Sequence, residues 1–375
     1  MYVAESNRLV DLVHSRIDEF LITREPIVTS ISPDLTPLIG FSRQFLSGGK
    51  RFRALFCYWG WQSVRAADSP FDIFAGDTTK PDLSPAISAA GALEIFHAAA
   101  LVHDDIIDNS DIRRGAASAH KLFEGMHSAN GWAGSQVEFG RAAAILLGDL
   151  LLGWSDELLD EGLAAVANPT AARLARTEFN RMRTEVTAGQ YLDILEERAW
   201  LTQPESELLD RALRVIVYKS AKYTVQAPLV IGAAVAGASA AQLETLRSFG
   251  LPLGIAYQLR DDLLGVFGDA SVTGKPSGDD LREGKRTVLI ALAREALPAG
   301  PRRILDELLG DAALNETQIA TLQRTIIDSG AVDRVESLIA TNVAEAVLAL
   351  EDSPISPAAK SRLRTLTETV TRRTF

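Results

Sequence analysis

The sequence predicts an all-α fold, a single-domain helical bundle around a central apolar cavity that takes in residues 1–375. Apolar residues recur with helical period along nearly the whole chain, and no block alternates as a half-buried strand would. In addition, 47% of residues are apolar while only 7% are aromatic, a balance that suits close packing of Ala- and Leu-rich helices. With 375 residues the chain exceeds the commonest domain size, yet an all-helical protein can reach this length around one core.

The elements follow in order. Leu9, Val10, Val13, Ile17 and Phe20 mark an amphipathic first helix. Leu35 to Leu46 forms a second, ended by Ser47-Gly48-Gly49, and Phe52 to Val64 a third. Ala66 to Pro85, punctuated by Pro70, Gly76 and Pro81, reads as a surface loop. A long Ala-rich helix then runs from about Pro85 into an aspartate cluster, and its small residues place it centrally. Gly125 to Gly140 is polar and glycine-punctuated, hence a loop or short helices. Ala142 to Leu163, Thr170 to Arg198, Pro204 to Val235 and Ala240 to Phe267 are helical, with Pro252 a candidate kink. Gly268 to Lys285 is glycine-rich and charged, and reads as a mobile loop. From Ile304 to Val347 the apolar spacing gives shorter amphipathic helices.

A formal charge of −11 excludes a nucleic-acid binder, which needs a basic face. Anionic ligands must therefore be captured by local cations against the overall field. Cys57 is the single cysteine, so an intrachain disulfide is impossible and a reducing, cytoplasmic setting is expected. The first residues carry acids among their apolar positions and look like neither a signal nor a transit peptide. The longest small-residue run, Pro228 to Ala241, falls short of a membrane span, so no transmembrane segment is expected.

The chain is organised around Asp104-Asp105-Ile106-Ile107-Asp108, followed by Asp111, Arg113 and Arg114. On a helix, Asp104 and Asp108 share a face about 5–6 Å apart. Like charges there are tolerable beside an apolar run only if a cation neutralises them. Oxygen ligands without cysteine, with His103 on another face, favour a hard ion such as Mg²⁺, and Mg²⁺ completes its shell with water and substrate phosphates. Arg113 and Arg114 are suitable phosphate forks. A solvated acidic helix end is the plain alternative for this stretch alone. A second acidic pair, Asp261-Asp262, follows Gln258 and is framed by apolar residues on both sides. Two such clusters on long helices are what the walls of a helical cavity would provide. Gly48-Gly49-Lys50-Arg51-Phe52-Arg53 sets cations at a helix start after glycines that let backbone approach an anion. Lys219 lies inside an apolar helix, where an unpaired ammonium is costly unless it meets an anion. Lys275 and Lys285 sit in the loop beyond the second aspartates.

Together and in this order, these motifs resemble the trans-type prenyl diphosphate synthases, the chain-elongating polyprenyl synthetase family, over roughly Gly48 to Thr287. Gly189-Gln190-Tyr191-Leu192-Asp193 and Gly284-Lys285-Arg286-Thr287 add agreement. The resemblance implies an isoprenoid-synthase bundle, homodimeric in the family's habit, that condenses isopentenyl diphosphate with allylic diphosphates.

It also implies roles. Lys50, Arg53, His97 and Arg114 would hold isopentenyl diphosphate. Asp104, Asp108 and Asp261 would coordinate three Mg²⁺, supported by Asp105 and Asp262. Arg113, Lys219 and Lys275 would clamp the allylic diphosphate, with Lys285 closing behind it. Gln258 and Ser220 would turn oxygens toward the allylic cation. His97 falls on the helix face of Asp104 and Asp108, at i, i+7 and i+11, although an Ala-rich helix can also bury a satisfied histidine. Gly265 replaces the third aspartate of the second motif, Ala54 stands where a proline often follows, and Ser220 replaces a threonine; none removes an essential group.

Product length should be set below the first motif. Ala100 and Phe96 lie about 6 and 12 Å down the helix from Asp104. Ala99 and Ala100 leave open the floor that a bulky aromatic closes in fifteen-carbon synthases, and Phe96 is the first large side chain beneath. The expected product is geranylgeranyl diphosphate, with a longer chain or farnesyl diphosphate as alternatives. A terpene cyclase would leave Lys50, Arg53 and His97 idle, and a non-catalytic subunit would usually lack aspartates of the first motif.

Overall fold

The computed structural model describes residues 2–64, 82–268 and 277–371. It is built of helices: α1 (Tyr2–Ile31), α2 (Thr36–Leu46), α3 (Phe52–Ser63), α4 (Ser84–Ile107), α5 (Ala119–Ala129), α6 (Gln136–Ala164) and α7 (Pro169–Ala199) in the first half. Then come α8 (Leu208–Val215), a π-helical segment (Ile216–Gln226), α9 (Ala227–Val235) and α10 (Ala240–Phe267). The last are α11 (Asp279–Glu283), α12 (Val288–Ala296), α13 (Ala299–Leu308), α14 (Glu316–Asp328), α15 (Ala331–Ala349) and α16 (Pro357–Thr371). The all-α prediction holds.

Four local readings are corrected. A two-stranded hairpin, β1 (Ile112–Arg113) with β2 (Ala116–Ala117), follows α4. Its turn residues Arg114 and Gly115 both have positive φ, 54° and 75°, as a two-residue type I′ turn requires. Arg-Gly is not the Asn-Gly signal that reveals such turns in a sequence. The expected loop from Gly125 to Gly140 is shorter, because α5 and α6 reach into it from both sides. The helix expected over Pro204 to Val235 is divided into a 3₁₀ turn, α8, the π segment and α9. Part of the expected loop from Gly268 to Lys285 is the short helix α11; Asp269 and Lys275 lie outside the described residues.

The chain divides into two compact units. Unit 1 comprises Met1–Glu178, Pro228–Leu243 and Ser356–Ala359; unit 2 comprises Phe179–Ala227, Glu244–Ile355 and Lys360–Phe375. In unit 1, α4 is the central element and packs most extensively on α6. By length and composition α4 could cross a membrane, but 83% of its apolar window is buried within the protein, as in a core helix. Glycines set the close crossings: a Cβ at Gly148 on α6 would fall 2.2 Å from His103 Nε2. His103 consequently points into α6, beside the Ile145 carbonyl at 3.2 Å and Asp149 Oδ1 at 3.5 Å.

In unit 2 the core is formed mainly by α10, α12, α14 and α15, through residues such as Leu259, Leu263, Leu289 and Leu322. The π segment is gripped through two bare α-carbons. A Cβ at Gly189 on α7 would lie 2.4 Å from the Lys219 nitrogen, and one at Gly254 on α10 would lie 2.4 Å from the Ala221 carbonyl oxygen. Both contacts would be clashes, so these glycines let α7 and α10 close on the segment that carries Lys219 and Ser220. Wide π turns are frequent at functional sites.

Candidate active site

In unit 1, α4 ends at the first aspartate motif. Asp108 caps the helix, its N–H donating to the Asp104 carbonyl at 2.8 Å, and the Ser110 N–H bonds the Asp105 carbonyl at 2.9 Å. Asp105 is fully buried, whereas Asp104 and Asp108 are half-buried. A buried carboxylate needs a counter-charge, and the hairpin supplies it. Arg113 donates from Nε to Asp105 Oδ1 at 2.8 Å and also from Nη2, which stands 3.6 Å from Asp104 Oδ2. Arg113 therefore bridges Asp104 and Asp105 here.

The turn beyond it swings Arg114 toward Gly48-Gly49. Arg114 Nη1 reaches the Ser47 carbonyl at 3.4 Å. A Cβ at Gly49 would press on the Arg114 guanidinium at 3.2 Å, and the positive φ of Gly48 and Gly49, 70° and 84°, suits glycine. A cavity of about 330 Å³ opens among Phe45, Gly48, Gly49, Leu101, Arg113 and Arg114. Burial lowers the Arg114 pKa, with Arg51, Arg113 and Arg53 adding repulsion. His97, half-buried on α4, is held well below the ordinary imidazole range by burial and by Arg53, Arg114, Arg113 and Arg51. It is a neutral imidazole among guanidinium groups. Lys50 is exposed and Arg53 half-buried.

Arg51, between those two, has a different task. It is 7% exposed and pairs with buried Glu94 of α4 at 3.2 Å, while Glu94 also accepts the Ala54 N–H at 3.1 Å. The pair fastens the start of α3 to α4. Sequence reasoning missed Glu94, although a lone acid among the apolar residues of a core helix was a visible signal. Below the motif, Phe96 is 4% exposed and Ala99 fully buried, while Ala100 is half-buried.

In unit 2, α10 carries Gln258, Asp261 and Asp262. Gln258 donates to Asp262 Oδ1 at 2.8 Å, and Asp262 is 5% exposed. Burial pushes the Asp262 carboxyl up to about 8; the Gln258 hydrogen bond opposes this, Asp280 and Asp261 add to it, and Lys285 opposes it. Lys219 meets its anion within the protein: Nζ lies 2.5 Å from Asp193, the acid of the Gly189-to-Asp193 stretch. Ser220 is half-buried in the π segment, and Lys285 pairs with Glu283 at 2.9 Å.

Among the described residues no three His, Cys, Asp or Glu side chains gather closely enough to hold a metal unaided. Carboxylates in pairs instead suit a hard ion that takes further oxygens from water and a phosphate. An Arg guanidinium resting on Asp104 and Asp105 shows that the first pair accepts a cation.

A helical bundle with aspartate pairs near the ends of core helices and a cavity edged by Arg113 and Arg114 is built to receive polyanions. The polyprenyl synthetase family model matches residues 38–326, and the chain belongs to that family. It is 32% identical over 295 residues to a geranylgeranyl diphosphate synthase of Sulfolobus acidocaldarius, covering 78% of each chain. It is 31% identical over 309 residues to a geranylfarnesyl diphosphate synthase of Aeropyrum pernix, covering 82% of this chain and 84% of that one. Among solved structures, a geranylgeranyl pyrophosphate synthase from Corynebacterium glutamicum, complexed with isoprenyl diphosphate and magnesium, superposes with a TM-score of 0.89 at 36% identity. That match covers 98% of this chain and 99% of the other.

Proposed function

We propose that this protein is a Mg²⁺-dependent, chain-elongating prenyltransferase that joins isopentenyl diphosphate to allylic diphosphates and releases mainly geranylgeranyl diphosphate. The observation that carries the reading is the half-buried Asp104, 3.6 Å from Arg113, which lines a cavity together with Arg114. In unit 1, Lys50, Arg53 and Arg114 bind isopentenyl diphosphate, and neutral His97 adds a hydrogen bond without further repulsion among the guanidinium groups. Arg113 exchanges Asp105 for the allylic diphosphate. In unit 2, Lys219 and Lys285 are the cations assigned to an allylic diphosphate, with Lys275 assigned from sequence alone, and Gln258 and Ser220 present oxygen to the developing cation. Asp104, Asp108 and Asp261 are the ligands of three Mg²⁺, with Asp105 and Asp262 behind them. When bound, the metal neutralises the leaving diphosphate and lowers the barrier to ionising the allylic C–O bond. Apolar residues below Asp104 exclude water from the cation, and holding the second alkene beside it contributes proximity. Proton loss from the adduct, to the released diphosphate, restores the double bond.

Phe96 sets the product length, with Ala99 and Ala100 leaving the space above it open. A twenty-five-carbon product is the second reading, favoured by the likeness to the geranylfarnesyl synthase. Exposed Val137, Ile145 and Leu146 on α6 suit burial against a second copy, which supports a homodimer. The lone, buried Cys57 suits the cytoplasm.

The deciding assay supplies isopentenyl diphosphate with dimethylallyl, geranyl or farnesyl diphosphate and Mg²⁺, and reads products by mass spectrometry. Twenty-carbon product is expected. Cyclic hydrocarbon or no elongation would sink the reading. Ala99→Phe should shift product toward fifteen carbons and Phe96→Ala toward longer chains; unchanged products in both would place the floor elsewhere.

A further inference from the structure

Two strands of two residues each cannot hold themselves together, so the hairpin that presents Arg113 and Arg114 depends on what grips it. Toward its tip the grips are the arginines themselves, Arg113 on Asp105 at 2.8 Å and Arg114 on the Ser47 carbonyl at 3.4 Å. Both are given up when those side chains turn to a diphosphate. A grip that survives binding must sit at the base of the hairpin.

The structure supplies one there. The Ser118 N–H donates to the Asp111 carbonyl at 3.0 Å, joining the residue before β1 to the residue after β2. Side chains repeat the closure. His120, in the first turn of α5 and 4% exposed, places Nε2 3.2 Å from Asp111 Oδ1 and Nδ1 3.2 Å from Ser118 Oγ. A carboxylate only accepts, so Nε2 donates to Asp111, while the Ser118 hydroxyl, able to donate or accept, satisfies Nδ1 in either protonation state. Lys121 Nζ stands 3.8 Å from the other Asp111 oxygen. The histidine is held from behind as well, because α6 closes on its backbone: a Cβ at Gly140 would fall 2.5 Å from the His120 carbonyl oxygen. Serine, histidine and aspartate in contact resemble a hydrolase triad, but Ser118 is fully buried and Asp111 exposed, the reverse of what a nucleophile needs.

We propose that His120 is a positioning residue for Arg113 and Arg114: through Asp111 it holds the base of their hairpin, so that both arginines keep their places when they leave their resting partners for a diphosphate. The assignment rests on the prenyl-synthase reading of this site. His120 itself touches no substrate.

Steady-state kinetics with isopentenyl diphosphate, farnesyl diphosphate and Mg²⁺ test it, alongside calorimetric binding of inorganic diphosphate. His120→Leu removes both side-chain bonds. Its KM for isopentenyl diphosphate should rise about tenfold, the scale of one hydrogen bond to a charged group, with kcat near the wild-type value. His120→Gln can still donate to Asp111 and should recover most of the loss. Asp111→Ala cuts the same bond from its other end; the side chain is 64% exposed, so its removal opens no cavity and decides the matter if His120→Leu does not fold. It should match His120→Leu, and the double variant should be no worse than either, because the two residues act as one. Wild-type KM in Asp111→Ala, additive losses in the double variant, or a fall in kcat at wild-type KM each overturn the assignment. A wild type that binds diphosphate but elongates nothing sinks the prenyl-synthase reading, while weaker diphosphate binding by Asp111→Ala still supports the role of His120.

Discussion

Each unit carries an Asp-Asp pair whose second member is buried: Asp105 in unit 1 is fully buried and Asp262 in unit 2 is 5% exposed. The two burials are made tolerable in different ways. Asp105 receives the Arg113 guanidinium through Nε and Nη2. Asp262 receives a neutral amide from Gln258, and its carboxyl, pushed up to about 8 by burial, keeps its proton at neutral pH. A guanidinium is charged at every accessible pH, so the first pair always has a cation beside it. The second is ionised only when something displaces a proton. The same dipeptide therefore gives one site governed by an ion pair and one governed by protonation.

The largest expected effect is on catalysis and bears on the half-buried first member of each pair. Asp104→Ala or Asp261→Ala should lower turnover by about a hundred- to a thousandfold while circular dichroism shows an intact fold. Normal turnover in either folded variant would remove that acid from the metal site and leave the comparison purely structural.

Much of this was legible in the sequence, and most of the parts that were not share a cause. Helical period and the order of motifs gave the helices and both aspartate clusters, because a buried face and a charged cluster are local patterns. Partners drawn from distant positions were hidden. Glu94 for Arg51 and Asp193 for Lys219 are set by how helices cross. The hairpin was missed for another reason: two-residue strands are too short to alternate, and an arginine at positive φ breaks the usual turn signal.

The next effect is on stability and separates the two pairs directly. Arg113→Met leaves the buried Asp105 carboxylate without its guanidinium and should cost about 3 kcal/mol in denaturant unfolding. Arg113→Met with Asp105→Leu removes both charges and should be less damaging than Arg113→Met alone. If the single and double variants lose equal stability, packing of the arginine stem, not the charge pair, is what unit 1 depends on.

The smallest loss is expected at Asp262, and its sign should depend on pH. The carboxyl titrates near its ordinary value of 3.8 when unfolded and at about 8 when folded. Between those values the folded chain holds a proton that the unfolded chain has released, so rising pH favours unfolding. The contribution is fully present below about pH 3.8 and is lost as pH rises through about 8. Asp262→Asn imitates the protonated acid, keeps an oxygen to accept from Gln258 and cannot titrate. Without metal, it should match the wild type near pH 4 and be equal or more stable at pH 7, where Arg113→Met is clearly weakened. Urea midpoints for both variants at the two pH values make the measurement. An Asp262→Asn protein as damaged at pH 7 as Arg113→Met would mean that Asp262 is ionised and paired like Asp105, and that the two units neutralise their buried acids in the same way.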